Sequence, residues 1–363
     1  MIESLILPHN IFKTLGKGGR TLGRCVTFGE IMMRLNPEGY YRLPQATTLE
    51  VSYAGGEANA AVAVAQLGAD AAFVTKVPEH ALGDCAINEM RRYGVDTRWM
   101  IRGGKRLGVY FVEKGASQRA SKVIYDRANS AIAEASRTDF DWNAILEGAS
   151  WFHFTGITPA LSELLPEICL EALKTAREKG IPVSCDLNYR GKLWDKEKAC
   201  KVMSGLMPYV DVCIANEADA ADVFGIHAED TDVENGELNR AGYIGVAKEI
   251  CRRFGCKKAA ITLRGSISAS ENTWSGMLYD AKRDAAAFAQ NYLIRLVDRV
   301  GGGDSFAGAM IYALMNQYDD QKAVDFAVAA SCLKQTMEHD FCIVDKAEVL
   351  SLAAGNRSGR VQR

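Results

Sequence analysis

Residues 299–310 read RVGGGDSFAGAM, three consecutive glycines and an aspartate set directly before an apolar helical run. Glycine lacks a Cβ, so a ligand can approach its backbone closely and dihedrals closed to other residues stay open. Phe306, Met310, Ala313 and Leu314 recur at helical spacing, which predicts a helix with Gly301, Gly302 and Gly303 at its N-terminus. Unpaired N–H groups and the positive end of the helix dipole make such a turn an anion site. An acid inside an anion site is the odd element. Beside a static anion, the Asp304 carboxylate would repel its neighbour. Beside a phosphoryl group in transit to a hydroxyl, it would accept the hydroxyl proton while the amides stabilise the developing charge. Asp304 as base with a glycine anion hole is one reading of the string; a capping acid after a glycine turn is the other.

A second glycine cluster opens residues 54–68, AGGEANAAVAVAQLG. Gly55 and Gly56 precede an alanine-rich helical run with Glu57 and Asn59 in its first turn. Small residues at a helix start give a ligand access, and Asn59 can both donate to and accept from a polyhydroxyl substrate. A glycine turn leading into a tightly packed helix accounts for the same string.

The elements that must carry these turns alternate along the chain. Short apolar or β-branched runs at 24–33, 71–77, 150–156, 182–188, 210–216 and 258–263 are separated by stretches at helical spacing. That is the pattern of βα units forming a mostly parallel sheet in an α/β fold. The strings TGIT, DLNYRGKLW, NEAD and TLRGS at the strand ends are polar and glycine-bearing, as expected where ligands bind open α/β sheets. Segments 31–53 and 105–127 instead alternate polar with apolar or aromatic residues, which predicts exposed antiparallel strands in a small sheet covering the crevice.

Composition limits the function classes. The 363 residues are 48% hydrophobic and 24% charged, with 43 Lys plus Arg against 45 Asp plus Glu. This balance, without a basic block, argues against nucleic acid as a partner. Ten scattered cysteines form no CxxC pair and no zinc-ligand spacing, so they read as small core residues in a reducing, cytoplasmic setting. The first 23 residues hold only a brief apolar patch, too short for a signal or membrane segment. A dinucleotide fingerprint is absent, since FGEIMM follows the first strand, and no GxxxxGK[ST] occurs.

Together the two glycine clusters resemble the ribokinase-like, or PfkB, family of sugar kinases. AGGEANAAVAVAQLGADAAFVTKV is similar to its N-terminal glycine-glycine signature, and VDRVGGGDSFAGAM to its C-terminal signature, usually written DTxGAGDxFxxG. The resemblance implies a three-layer α/β/α fold with a small β-sheet lid and a single kinase domain over 24–355. An N-terminal extension (1–23) and a C-terminal tail (356–363) would flank it. It implies ATP and Mg2+ as cofactors, leaves a monovalent cation open, and implies a homodimer or larger ring in which the lid meets another subunit. Asp304 then matches the catalytic base, and Gly301, Gly302 and Gly303 the anion hole, with Gly302 in place of the usual alanine. Asn216, in NEAD, matches an asparagine near the phosphates and magnesium. The family string is closer to NxxE; Asp219 here is one methylene shorter, with an indirect metal role. Thr262, Arg264, Gly265 and Ser266 match the nucleotide segment.

Within that family, DLNYRGKLW at 186–194 is similar to the D-x-N-x-R string of 2-keto-3-deoxygluconate kinases. That substrate is a keto acid, and Arg190 can form a bidentate pair with its carboxylate, which neutral hexoses do not require. The resemblance places Tyr110, Arg127, Asn188 and Asp340 against the sugar, with Arg127 as a second cation, beside Gly55, Gly56, Glu57 and Asn59. Val112 stands where some relatives have arginine, and His339 where a glycine usually precedes the aspartate. His153, Trp151 and Trp194 read as packing residues. The expected reaction is ATP-dependent phosphorylation of the 6-hydroxyl of 2-keto-3-deoxygluconate. A fructokinase- or ribokinase-like enzyme, or a catalytically silent sugar sensor, are the alternatives.

Overall fold

The computed structural model describes residues 23–227, 240–356 and 359. All but the last residue of the expected N-terminal extension, and most of the expected C-terminal tail, lie outside the described residues. The first expected strand, 24–33, is divided. β1 (Arg24–Phe28) ends at a bend, and β2 (Met32–Asn36) leaves in a new direction, to be paired by β3 (Glu50–Ala54) before α1 (Gly56–Gln66). Next come β4 (Ala71–Val77), α2 (Ala81–Arg92), β5 (Met100–Arg102) and a hairpin of β6 (Gly108–Glu113) and β7 (Lys122–Asp126). Helices and strands then alternate: α3 (Trp142–Ile145), β8 (Ala149–Thr155), α4 (Leu165–Glu178), β9 (Val183–Asp186), α5 (Lys196–Leu206) and β10 (Val212–Asn216). α6 (Glu217–Phe224) and α7 (Arg240–Phe254) lead to β11 (Lys258–Ser266). Three strands, β12 (Glu271–Asp280), β13 (Ala285–Phe288) and β14 (Tyr292–Arg295), precede α8 (Gly302–Met315), α9 (Asp320–Lys334) and α10 (Lys346–Ala353).

The large sheet runs β13-β12-β11-β10-β9-β8-β1-β4-β5, with β14 also on β12. From β11 to β5 every pairing is parallel. Strands such as AAFVTKV are buried along nearly their whole length, because helices cover both faces. One core lies under α1, α2, α8, α9 and α10; the other lies under α3 to α7. The result is the expected three-layer arrangement. No helix among the described residues is long and apolar enough to cross a membrane. All ten cysteines are free, and eight of them are buried.

The smaller sheet runs β3-β2-β6-β7. Its outer pairs are antiparallel, as expected, but the central β2–β6 pair is parallel, with Met32 opposite Gly108 and Leu35 opposite Phe111. The cause is topological. β2 and β6 both follow parallel strands of the large sheet, β1 and β5, so both leave the same edge in the same direction.

Helix α8 also departs from its sequence pattern. It is buried from Ser305 through Ala313, on every side rather than on one apolar face, because it is sandwiched between α1 and α9. At Gly308 a Cβ would stand 2.7 Å from the Ala63 Cβ and 2.8 Å from the Ala60 carbonyl. The alanines of α1 and the glycine of α8 therefore let the two helices touch backbone to backbone. That contact brings both glycine turns to one place.

Candidate active site

A cavity of about 520 Å³ lies at the carboxyl ends of the parallel strands, beneath the smaller sheet. All the candidate catalytic, substrate, nucleotide and metal residues named from the sequence line it except Gly265 and Ser266. Those two are held in the β11–β12 ladder opposite Thr273 and Asn272, and the Gly265 amide donates to Thr273 Oγ1 at 3.1 Å. Of the segment expected to hold nucleotide, Thr262 and Arg264 reach the cavity.

Asp304 sits in the first turn of α8. Asn59 Nδ2 donates to its Oδ2 at 2.6 Å, while Asn59 Oδ1 accepts the Gly55 amide at 3.3 Å. A Cβ on Gly56 would lie 3.6 Å from Asp304 Oδ1, so the first glycine turn forms the floor beside the carboxylate. The carboxylate opens onto the cavity but is walled by protein. Burial pushes its pKa up to about 6; the Asn59 bond and the Arg190 charge oppose the rise, and Asp340 and Glu57 add to it. A carboxyl near 6 is largely ionised at neutral pH yet basic enough to take a hydroxyl proton.

The turn before it is tightly specified. Gly301 has φ +81°, and a Cβ there would meet the Asp340 carbonyl oxygen at 2.1 Å. A methyl on Gly302 would press on the Gln335 side chain at 3.2 Å. The amides of Gly303 and Asp304, in the first turn of α8, point out of the helix end as orphan donors. We expect Gly301→Ala to destabilise the protein by at least about 2 kcal/mol, from the left-handed backbone and the clash together. Urea unfolding of the variant checks this; an unchanged midpoint would remove the argument for a glycine-only turn.

Several residues do something other than their sequence context suggests. Glu57 Oε1 accepts from the Thr155 amide (3.1 Å), Thr155 Oγ1 (2.7 Å) and Thr158 Oγ1 (2.6 Å). It ties α1 to the end of β8, leaving little capacity for a sugar. Arg127 is bonded through Nε to Glu30 Oε2 at 2.7 Å, and Ser130 also donates to Glu30. Its charge is offset before any substrate carboxylate arrives. Asn216 caps α6, and Asp219 completes a capping box by accepting the Asn216 amide at 3.2 Å and the Tyr189 amide at 3.1 Å. Tyr110 donates its hydroxyl to Asp340 at 2.9 Å. His339 holds φ +62°, the region glycine occupies freely, and its Nε2 lies 3.0 Å from Glu50 of the smaller sheet. Val112 is buried. His153, with its pKa pulled down to about 4 by burial, shares the Ser184 hydroxyl with Trp151.

Arg190 stands apart. Among the described residues its guanidinium makes one hydrogen bond, to the Tyr189 carbonyl at 2.9 Å, and no salt bridge. It nonetheless pulls on Asp186, Asp219 and Asp304 electrostatically. Asn188, at φ +38°, is buried two residues before it.

Sequence reasoning missed other wall residues, among them Arg299, Asn272, Trp274 and Asp186. Arg264 and Arg299 are close enough for Arg264 to lower the Arg299 pKa, after burial, and neither forms a salt bridge among the described residues. Two adjacent unneutralised guanidinium groups beside an anion turn suit a polyphosphate. Asn272 and Trp274 are buried, and their side-chain polar atoms find no partner among the described residues. Both line the cavity, where a ligand can satisfy them. Asp186 has its pKa pushed well up by burial, then by Asp219 and Asp304. No cluster of three or more His, Cys, Asp or Glu among the described residues could hold a metal by itself. Asp186 and Asp219 do fit Mg2+ held mainly by nucleotide phosphates and water, with one or two carboxylates behind it.

The family profile described as pfkB family carbohydrate kinase matches residues 23–339. A 2-dehydro-3-deoxygalactonokinase of Haloferax volcanii is 35% identical, over 92% of this chain and 98% of its own. The crystal structure of a 2-dehydro-3-deoxygluconokinase from Thermotoga maritima is 52% identical with a TM-score of 0.88, covering 92% of this chain and 98% of that one. An E. coli protein solved in complex with ATP and Mg2+ is 20% identical with a TM-score of 0.76, covering 92% of this chain and 99% of its own, and shares the fold.

Proposed function

The chain belongs to the pfkB family of carbohydrate kinases, and from that premise we propose that it phosphorylates the 6-hydroxyl of 2-dehydro-3-deoxygluconate, the 2-keto-3-deoxy sugar acid. The observation that carries the sugar-acid reading is Arg190, a half-buried guanidinium on the cavity wall with no carboxylate of its own. The gluconate form is favoured over its galactonate epimer by 52% identity to the Thermotoga enzyme against 35% to the Haloferax one.

In this reading Arg190 fixes the substrate carboxylate and Asn188 bonds a neighbouring hydroxyl. Asp304, oriented by Asn59, takes the proton from the attacking hydroxyl. The Gly303 and Asp304 amides stabilise the charge that develops on the transferring group. Arg264 and Arg299 hold the nucleotide phosphates. Magnesium, when bound with those phosphates near Asp186 and Asp219, shields their charge. The smaller sheet covers the cavity and limits loss of the phosphoryl group to water. Its outer strands expose Val51, Ile124 and Tyr125, and we assign that surface to a second copy of the chain.

An ADP-release assay with ATP and magnesium tests the proposal on 2-dehydro-3-deoxygluconate, its galactonate epimer, gluconate, fructose and ribose. The expected result is highest kcat/KM for the first. Preference for the epimer would move the sugar without moving the chemistry; preference for fructose or ribose would end the sugar-acid reading.

A further inference from the structure

Behind the phosphoryl-binding turn lies a buried lysine with an unusual set of partners. Lys334, the last residue of α9, is fully buried. Its Nζ donates to the Asp298 carbonyl at 2.9 Å and to the Val300 carbonyl. Both acceptors belong to the backbone strap that leads into Gly301. Elsewhere along the strap the same end of α9 makes the anchoring contacts. The Val297 amide donates to the Gln335 carbonyl at 2.9 Å, and Ser331 Oγ donates to the Gly302 carbonyl at 2.7 Å.

Peptide planarity turns these contacts into a statement about the anion hole. In a trans peptide the C=O of one residue and the N–H of the next point in opposite directions. Holding the Val300 carbonyl toward α9 therefore aims the Gly301 N–H away from α9. Holding the Gly302 carbonyl there aims the Gly303 N–H the same way. The turn is therefore set from behind: the hydroxyl aims the Gly303 donor directly, and the ammonium fixes the Gly301 peptide that leads into it.

The charge around the lysine closes as well. Arg34 pairs with Asp298 and Asp340; burial pulls the Lys334 pKa below its ordinary value, and the same two carboxylates oppose the fall and favour the ammonium. Two cations and two anions make a neutral buried group. Backbone carbonyls converging on a buried point beside carboxylates form a site for a small monovalent cation, and here the chain fills that point itself.

We propose that the Lys334 ammonium is a built-in cation that positions the phosphoryl-binding turn in place of a dissociable monovalent ion, so that turnover is independent of potassium. Lys334 is a positioning residue and touches no reactant. The inference rests on the phosphoryl-transfer reading of the turn and is indifferent to which sugar acid is used.

The test compares wild type, Lys334→Met and Lys334→Ala at equal ionic strength in choline, potassium and ammonium chloride, reading kcat, KM and melting temperature. Wild type should turn over equally in all three salts, within about twofold. Lys334→Met keeps the bulk without the charge, and should lose roughly 30-fold in kcat with KM within about threefold, in every salt; a misaimed donor costs less than an absent one. Lys334→Ala leaves room for an ion. It should lose as much in choline and recover at least about fivefold in ammonium or potassium. Its melting temperature should rise in those two salts and not in choline, because an ion that binds only the folded state stabilises it. Potassium activation of wild type, or a Lys334→Met variant with normal kcat, would overturn the proposal. So would a Lys334→Ala variant whose turnover and melting both ignore the cation. Failure of every sugar in the wild-type assay would count against the substrate reading, while the melting measurement still decides this one.

Discussion

Asp304→Asn is expected to lower kcat by about 10³-fold or more while leaving the sugar KM within about threefold, the loss of a general base that acts only as the hydroxyl is deprotonated. The substitution is close to isosteric, and an amide oxygen can still accept the bond from Asn59 Nδ2. Binding should survive where chemistry does not. The same group sets the pH profile. With its pKa raised to about 6 in the free protein, Asp304 is protonated and inactive in acid, so kcat/KM climbs through about pH 6 and levels off above it. Stability moves the other way. The folded-state pKa exceeds the reference 3.8, so the folded protein retains a proton that the unfolded chain has released, and stability falls as pH rises from about 4 to about 6. Above that window the cost is complete. Removing the charge should therefore stabilise the variant at pH 8 by about 1–2 kcal/mol, less than the full shift implies because the cavity admits water. A variant that turns over within tenfold of wild type would dismiss Asp304 as the base.

Arg190→Ala should reduce kcat/KM for 2-dehydro-3-deoxygluconate by about 10²-fold or more and change any activity on fructose by less than about threefold. The asymmetry follows from what remains after truncation. Without the guanidinium, the substrate carboxylate would enter a cavity that already holds Asp186, Asp219 and Asp304. Breaking a buried charge pair in this way costs about 2–5 kcal/mol, much of it from the unpaired partner. Arg190→Lys should recover part of the loss, since it keeps the charge and gives up the two-point fit. Equal losses on the acid and the neutral sugar would show that Arg190 supports the fold of the loop and does not read the carboxylate.

How much of this was legible in the sequence depends on the range of the interactions. The two glycine turns were visible because each is local: glycines, a polar first turn and a helical run within a dozen residues. The parallel strands were visible because burial on both faces leaves continuous apolar runs. Glu57 was visible as a residue at the site, but its partners Thr155 and Thr158 lie about a hundred positions away, and nothing near it in sequence shows that its oxygen is already engaged. Arg34 was hidden more completely. In MMRLN it occupies what an alternating pattern reads as a solvent-facing position, yet it is fully buried. Its acids are 264 and 306 residues on. Lys334 ends a helix where a lysine normally meets water, and only the strap folded over it removes that water. Buried charge is the feature that periodicity reads with the wrong sign, because the pattern encodes polarity and not the presence of a distant partner.

Arg34 is also where the two sheets of the molecule are fastened together. It extends from β2 of the smaller sheet to Asp298 and Asp340, and Asp340 in turn receives Tyr110 from the adjacent strand β6 while its carbonyl lies against Gly301. Lifting the smaller sheet off the cavity would break buried ion pairs, at about 3–5 kcal/mol for each charge left unpaired. Swinging it about β2 breaks none of them. A sheet that moved to admit substrate while keeping these pairs would turn on a hinge with its axle through Arg34, and the edge strand β7, largely exposed, would travel farthest.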